Sequence, residues 1–217
     1  MDFINQLRVI DTNIFLFFNE LHNSFFDRFM FFTSEKLVWI PLYATILFVM
    51  IKNWKAKSVF VAIALIMSVV IADQIASGII KNVVERMRPS REWSIDGLVH
   101  IVNGERGGRY GFVSSHAANM FAVAVFSAMA FGNKLYSFLI LMWAIIVSYS
   151  RIYLGVHYPG DVVGGIIVGT LTALFFYFLL IKLKIVSKNN PKISGLYTSY
   201  VVLLGTWGVF VALSILS

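Results

Sequence analysis

Long apolar runs, rather than alternating positions, set the pattern of this chain. Six stretches, near residues 37–52, 58–80, 115–131, 135–153, 160–183 and 197–216, approach or meet the roughly 20 apolar residues that cross a bilayer. A continuous run such as Leu135 to Val147 does not fit the alternating ten-residue strands of a barrel. Backbone amides in hydrocarbon must be satisfied within their own segment, so the runs predict helices. The expected fold is an all-α integral membrane bundle of six transmembrane helices. Residues 1–217 read as a single domain, because no linker separates two apolar blocks and the long polar stretch is 81–113.

The first 34 residues break this pattern. Asp2, Arg8, Asp11, Glu20, Asp27 and Arg28 interrupt Ile10, Ile14, Phe15, Phe17, Phe18, Phe25, Phe26 and Phe29. Mixed in this way, the segment predicts an N-terminal amphipathic helix lying in the membrane interface; an imperfect seventh span is the alternative. A basic leader followed by a small-residue cleavage site is missing, so no cleaved signal peptide is expected. Small residues on two runs, Gly164, Gly165 and Gly169 on one and Ala117, Ala118, Ala122 and Ala124 on another, predict close helix approach.

Composition agrees with the membrane reading: 59% of the residues are hydrophobic, 13% are charged, and mean hydropathy is +0.79. With no cysteine, thiolate catalysis, disulfides and cysteine metal sites are excluded. Net charge is +7, and its placement says more than its sum. Lys52, Lys55, Lys57, Lys134, Lys182, Lys184, Lys188 and Lys192 fall in connections on one side, which the positive-inside rule makes cytoplasmic. Lys81, Arg86, Arg88, Arg91, Arg106 and Arg109 crowd the opposite side. For Arg86, Arg91, Arg106 and Arg109, neutralising Glu85, Glu92, Asp96 and Glu105 or binding headgroups is the favoured reading; Lys81, Arg88 and Arg151 call for another.

Three polar clusters sit where apolar runs meet loops. Lys81 and Arg88 are seven apart, so they share a face if their helix continues to Pro89, which then stops it. Ser77 and Asp73 extend that stripe into the membrane. An ionisable residue such as Asp73 inside a span is functional by default and would hold Lys81 or another base in place, unless it is a packing residue hydrogen-bonded to a neighbouring helix. In the second cluster, Ser114-Ser115-His116 opens a helix whose exposed amides suit an anion, so Ser114 Oγ and the Ser115 amide are natural phosphate donors. The third is Arg151, His157 and Asp161. Pro159 is suited to the first helical position, which makes Tyr158 the cap and Asp161 the third helical residue, with His157 within reach of it. Arg151 points its fork at the same loop.

Together these residues describe phosphoryl transfer, which needs positioning and positive charge more than covalent machinery. Lys81, Arg88 and Arg151 supply the charge. His157, oriented by Asp161, is the expected nucleophile that becomes a phosphohistidine. His116 is the expected acid for the leaving alkoxide and then the base for water. His116, His157 and Asp161 would also make a two-His, one-carboxylate metal set, but converging cations repel a divalent ion. His22 and His100 read as surface residues without a catalytic part.

The clusters resemble the signature of the type 2 phosphatidic acid phosphatase superfamily. Lys, six residues, Arg-Pro is met by Lys81 to Arg88-Pro89, and Ser-Arg, five residues, His, three residues, Asp by Ser150-Arg151, His157 and Asp161. The usual Pro-Ser-Gly-His reads Val113-Ser114-Ser115-His116, with proline and glycine replaced. The resemblance implies Lys81, Arg88, Ser114, Ser115 and Arg151 on phosphate, His116 as acid, His157 as nucleophile, Asp161 orienting it, and no metal or cofactor. It also implies a bacterial lipid phosphatase of the cytoplasmic membrane, with loop 81–113 on the periplasmic side. The expected substrate is an anionic phospholipid, glycolipid or polyprenyl phosphate, such as lipid A, undecaprenyl diphosphate or phosphatidylglycerophosphate, and nucleic acid is not an expected partner. Lipid-to-lipid phosphate transfer and non-catalytic binding or transport of a lipid phosphate are the alternatives.

Overall fold

The computed structural model describes residues 3–187 and 193–216; Asp2, Lys188 and Lys192 lie outside them. Every regular element among the described residues is helical, apart from an isolated antiparallel bridge between Met87 and Tyr110. The helices are α1 (Phe3–Glu20), α2 (Ser24–Ser34), α3 (Ile40–Trp54), α4 (Ser58–Asp73), a short α5 (Lys81–Val84), α6 (Ser115–Phe131), α7 (Lys134–Tyr153), α8 (Pro159–Lys182) and α9 (Leu196–Leu216).

Four helical stretches among these residues are long and apolar enough to cross a membrane: Leu37–Val84, Lys134–Tyr153, Pro159–Lys182 and Leu196–Leu216. Ser115–Phe131 is apolar but shorter, at 17 residues. The 48 residues of the first stretch hold two of the expected segments. Lys55, with φ of 50°, breaks the helix between α3 and α4, which then pack on each other. Side chains such as Ile63, Ile66, Leu171, Phe175, Phe178, Val201 and Leu204 point outward and are exposed. So much contiguous apolar surface is what lipid, not water, favours.

The lysine-bearing connections gather at one end. Asn53 bonds to Ser194 (Nδ2 to the carbonyl, 2.9 Å; Oδ1 from the amide, 3.0 Å), and Trp54 stacks on Phe131. At the opposite end of α6 lie its N-terminus and the polar clusters. Between the two ends, α6 and α8 run against each other with no room for side chains. A Cβ on Gly165 would run into the Ser114 carbonyl oxygen, and one on Gly169 into that of Ala118. Ala117, Ala118 and Ala122 are fully buried there, so the expected small-residue contact is present.

The N-terminal segment is two helices rather than one. Phe3, Ile4, Leu7, Ile10, Ile14 and Phe17 form an exposed apolar stripe on α1, while Phe15 and Asn19 face inward and are buried. Asn19 Nδ2 donates to the carbonyls of His100 (3.0 Å) and Tyr153 (2.8 Å), and its Oδ1 accepts the His100 amide at 2.8 Å. This side chain fastens the long polar loop to the end of α7. His22 stacks on His100 with ring centroids 3.6 Å apart, and His100 Nε2 faces Asp27 Oδ1 at 3.0 Å. Two parallel stacked rings do not aim their in-plane nitrogens at a common point, so these residues form a clasp between α2 and the loop.

Candidate active site

The start of α8 follows from its sequence. Pro159 occupies the first turn, Tyr158 is the cap, and the Asp161 Oδ2 accepts the Tyr158 amide at 3.0 Å. His157 lies just outside the helix, with Nδ1 3.3 Å from Asp161 Oδ2. Both side chains are buried, at 1% and 0% exposure. The loop that carries His157 curls back onto α7: the amides of Val156 and His157 both donate to the Arg151 carbonyl, at 3.2 and 3.1 Å. Gly155 makes this curl with φ of 77°, and a Cβ there would stand 2.7 Å from the His100 carbonyl oxygen.

Arg88 reaches this pair by a route other than the expected one. The helix carrying Lys81 ends at Val84, where Glu85 is left-handed with φ of 49°, so Arg88 does not share a helical face with Lys81. The residue before a proline disfavours helical backbone, and Arg88 is extended, pairing with the loop across from it: its amide donates to the Arg109 carbonyl at 3.3 Å. Its guanidinium is pinned by the carbonyls of Tyr110 (3.1 Å) and Val156 (3.2 Å), and Nη1 lies 3.1 Å from His157 Nε2. If Nδ1 carries the proton toward Asp161, Nε2 is left as the acceptor facing Arg88. Burial, and then the charges of Arg88, Arg151 and Lys81, push the His157 imidazole well below its usual pKa. A neutral ring is the nucleophilic form.

α6 supplies the opposing wall. Ser114 caps it, with Oγ accepting the Ala117 amide at 3.4 Å, and its own amide donates to the Asp161 carbonyl at 2.8 Å. Ser115 Oγ lies 3.2 Å from Lys81 Nζ. His116 follows Ser115 in the first turn of α6, at the same end of the helix. The two positions that depart from the usual motif both have partners in this chain. Ser115 holds Lys81, and Val113 fills the space over Gly164, where a Cβ would collide with it.

Lys81 follows a π-helical stretch, Gln74–Ile80, that continues α4. Its wider turn offsets the stripe expected from Asp73 through Ser77 to Lys81. Asp73 Oδ1 bonds to Asn119 Nδ2 at 3.0 Å, one turn past His116 on α6, rather than to Lys81. Arg151, in the last turn of α7, is held through Nη1 by the Ser34 hydroxyl of α2, while its Nε is buried without a hydrogen-bond partner. A buried donor of this kind is suited to an incoming anion.

The structure thus brings together Lys81, Arg88, Ser114, Ser115, His116, Arg151, His157 and Asp161, with Asp73 one step away through Asn119. The loop arginines divide. Arg106 stands 4.0 Å from Asp96, and Arg91 donates to the Gly107 carbonyl, as surface residues do. Arg86 does not pair with the loop acids: it bonds Asp11 of α1 at 2.7 Å and Asp161 at 3.2 Å. Neither Asp11 nor Arg86 stands out by spacing, and Ser34 and Asn119 carry no sequence signal at all. A divalent ion among His116, His157 and Asp161 would have to displace Arg88 from His157 Nε2.

The PAP2 superfamily profile matches residues 57–185. The chain is 42% identical over 195 residues to a lipid A 4'-phosphatase of Bacteroides thetaiotaomicron, covering 88% of this chain and 86% of that protein. It is 36% identical over 169 residues to a lipid A 4'-phosphatase of Porphyromonas gingivalis, covering 77% and 72%. Among solved structures, a transmembrane PAP2 type phosphatidylglycerolphosphate phosphatase from Bacillus subtilis shares the fold, with a TM-score of 0.62 at 21% identity over 82% of this chain and 88% of that one.

Proposed function

The chain belongs to the PAP2 superfamily, and from that premise we propose that it removes a phosphomonoester from a lipid A-type glycolipid through a phosphohistidine on His157. It is an integral membrane protein. In the proposed topology, α3, α4, α6, α7, α8 and α9 cross the bilayer, α1 lies in the interface, and the site faces the extracytoplasmic side, away from the lysine-rich connections. The observation that carries the reading is the buried His157–Asp161 pair with Nε2 turned to Arg88, in the company of Lys81 and Arg151. The substrate class rests on the two lipid A 4'-phosphatase relatives.

In this reading the phosphate takes over the donors that the resting site points inward. Arg88 leaves His157 Nε2 for a phosphate oxygen, and Lys81, Arg151 Nε and the Ser115 amide take the others. Nε2 attacks phosphorus, the bond to the sugar oxygen breaks, and protonated His116 gives its proton to that alkoxide. The ring, now positively charged, keeps its Nδ1 proton against Asp161. Water then attacks the phosphohistidine, His116 takes the water proton, the phosphorus–nitrogen bond breaks, and neutral His157 returns. No step calls for a metal.

Phosphate release should be measured side by side on lipid A, undecaprenyl diphosphate and phosphatidylglycerophosphate, with and without EDTA. The proposal expects kcat/KM for lipid A to exceed the others by at least about tenfold and to be unchanged by EDTA. Preference for another lipid would overturn the substrate assignment, and loss of activity in EDTA the metal-free chemistry.

A further inference from the structure

Asp161 has two carboxylate oxygens, and the reaction as read above uses one. Oδ2 faces His157 Nδ1; Oδ1 faces Arg86 Nη1 at 3.2 Å. The same Nη1 donates to Asp11 Oδ2 at the shorter distance of 2.7 Å. The other oxygen of Asp11 accepts the amide of Gly160 at 2.8 Å, one residue before Asp161. Arg86 also lies over the ring of Tyr158, with its guanidinium carbon 3.9 Å from the ring centre. Three points far apart in sequence, on α1, in the loop after α5 and at the start of α8, therefore meet behind the catalytic pair. Here the charged groups are largely removed from solvent: the side chains of Arg86 and Asp11 are 16% exposed, and that of Asp161 is fully buried.

We propose that Asp11 and Arg86 are positioning residues for the phosphoryl transfer, through which the N-terminal helix α1 sets the orientation and charge of the Asp161–His157 pair. The inference rests on the reading of His157 as nucleophile. A buried carboxylate beside a neutral imidazole needs a countercharge, or it is costly to keep ionised. Arg86 supplies it from the side away from His157. Asp11 then limits how much of Arg86 the catalytic carboxylate receives. Sharing one guanidinium nitrogen between two carboxylates, with Asp11 the closer, leaves Asp161 enough negative charge to orient the Nδ1 proton and to balance the imidazolium that forms on phosphorylation. Asp11 also holds the first turn of α8 through Gly160, so it fixes the backbone that carries Asp161 as well as the cation that faces it. A Cβ on Gly160 would stand 2.8 Å from Asp11 Oδ2, which leaves little slack between α1 and α8.

The test uses the full-length protein in detergent with lipid A, comparing Arg86→Gln, Asp11→Asn, the double variant, Arg86→Lys and His157→Ala. Steady-state kinetics and rapid-quench formation of labelled phosphoenzyme are the readouts. Misplacing a reacting group by an ångström costs about 100-fold in rate, so Arg86→Gln should lose kcat on that order while KM stays within about threefold. Asp11→Asn should lose about tenfold, and the double variant should be no worse than Arg86→Gln, because residues in one network are not additive. Arg86→Lys, which keeps the charge, should recover part of kcat. The inference is overturned by an Arg86→Gln kcat within about twofold of the wild type, by a raised KM at unchanged kcat, which would make Arg86 a substrate ligand, or by additive losses. Should Arg86→Gln fail to fold, Arg86→Lys and Asp11→Asn carry the test, and wild-type phosphoenzyme formation in both would overturn it. Turnover by His157→Ala would instead overturn the nucleophile assignment beneath the inference. An inactive His157→Ala beside a fully active Arg86→Gln would overturn the inference alone.

Discussion

The two walls of the pocket are built on different physics. On one side α6 and α8 meet backbone to backbone: Gly165 and Gly169 leave no space beyond the carbonyls of Ser114 and Ala118, and the Ser114 amide bonds directly to the Asp161 carbonyl. On the other side, α1 and the loop after α5 are joined to the site by charge and side-chain hydrogen bonds, through Asp11, Arg86, Arg88 and Asn19. Close packing fixes where a helix begins and is indifferent to protons and salt. A wall of ions can be tuned, and it responds to pH. The difference suggests a division of labour, in which the packed wall places His116 and Asp161 and the charged wall sets what His157 can do.

Breaking the packed wall should have the largest effect. Gly169→Leu drives a side chain into the Ala118 carbonyl, and overpacking of this kind costs about 3 kcal/mol or more. Thermal unfolding in detergent should show a large loss of folded protein, with all activity gone. The reaction itself is next. His116→Ala should cost roughly 100-fold or more in kcat on a phosphomonoester but much less on a lipid pyrophosphate, whose leaving phosphate needs less help than an alkoxide. Equal losses on both substrates would argue against His116 as the acid.

The charged wall makes a pH prediction. His157 is held well below its usual pKa, by burial first and then by Arg88, Arg151 and Lys81, whereas an unfolded histidine titrates near about 6.5. In that interval the unfolded chain carries a proton that the folded chain lacks. This contribution to stability is therefore complete above about pH 6.5 and is lost as pH falls below it. The unfolding temperature should drop between pH 7.5 and pH 5, and drop less in His157→Gln; equal drops would contradict a neutral buried His157. The smallest effect is expected from Ser115→Gly, which restores the more usual glycine and frees Lys81 from its 3.2 Å partner. A change in kcat/KM of only a few-fold, seen mainly in KM, would fit the loss of one neutral acceptor for the Lys81 ammonium.

The packed wall and the helix-borne residues are legible in the sequence because both depend on short-range pattern. Ser114–His116 and His157–Asp161 lie where polar residues interrupt apolar runs, and Pro159 marks the turn. The small residues on α6 and α8 recur at helical spacing, and the expected segments match α3, α4, α6, α7, α8 and α9 in place. The charged wall is legible only in Arg88, and there by residue and not by backbone, for reasons that are equally physical. Arg88 looks helical by its spacing from Lys81, yet a left-handed Glu85 and a pairing with Arg109 and Tyr110 set its backbone. Asp11 and Arg86 resemble ordinary surface charges because their partners are 75 or more residues away. The π-helical stretch before Lys81 shifts a stripe that regular helical spacing would align.

The central claim is that phosphate passes through His157. Rapid quench of the enzyme with labelled lipid A, followed by alkaline workup and peptide mass spectrometry, tests it directly. The account predicts an acid-labile, alkali-stable phosphoryl group on the peptide containing His157, formed within one turnover and absent from a folded His157→Ala protein that releases no phosphate. Label on a different residue, or undiminished phosphate release by His157→Ala, would contradict it.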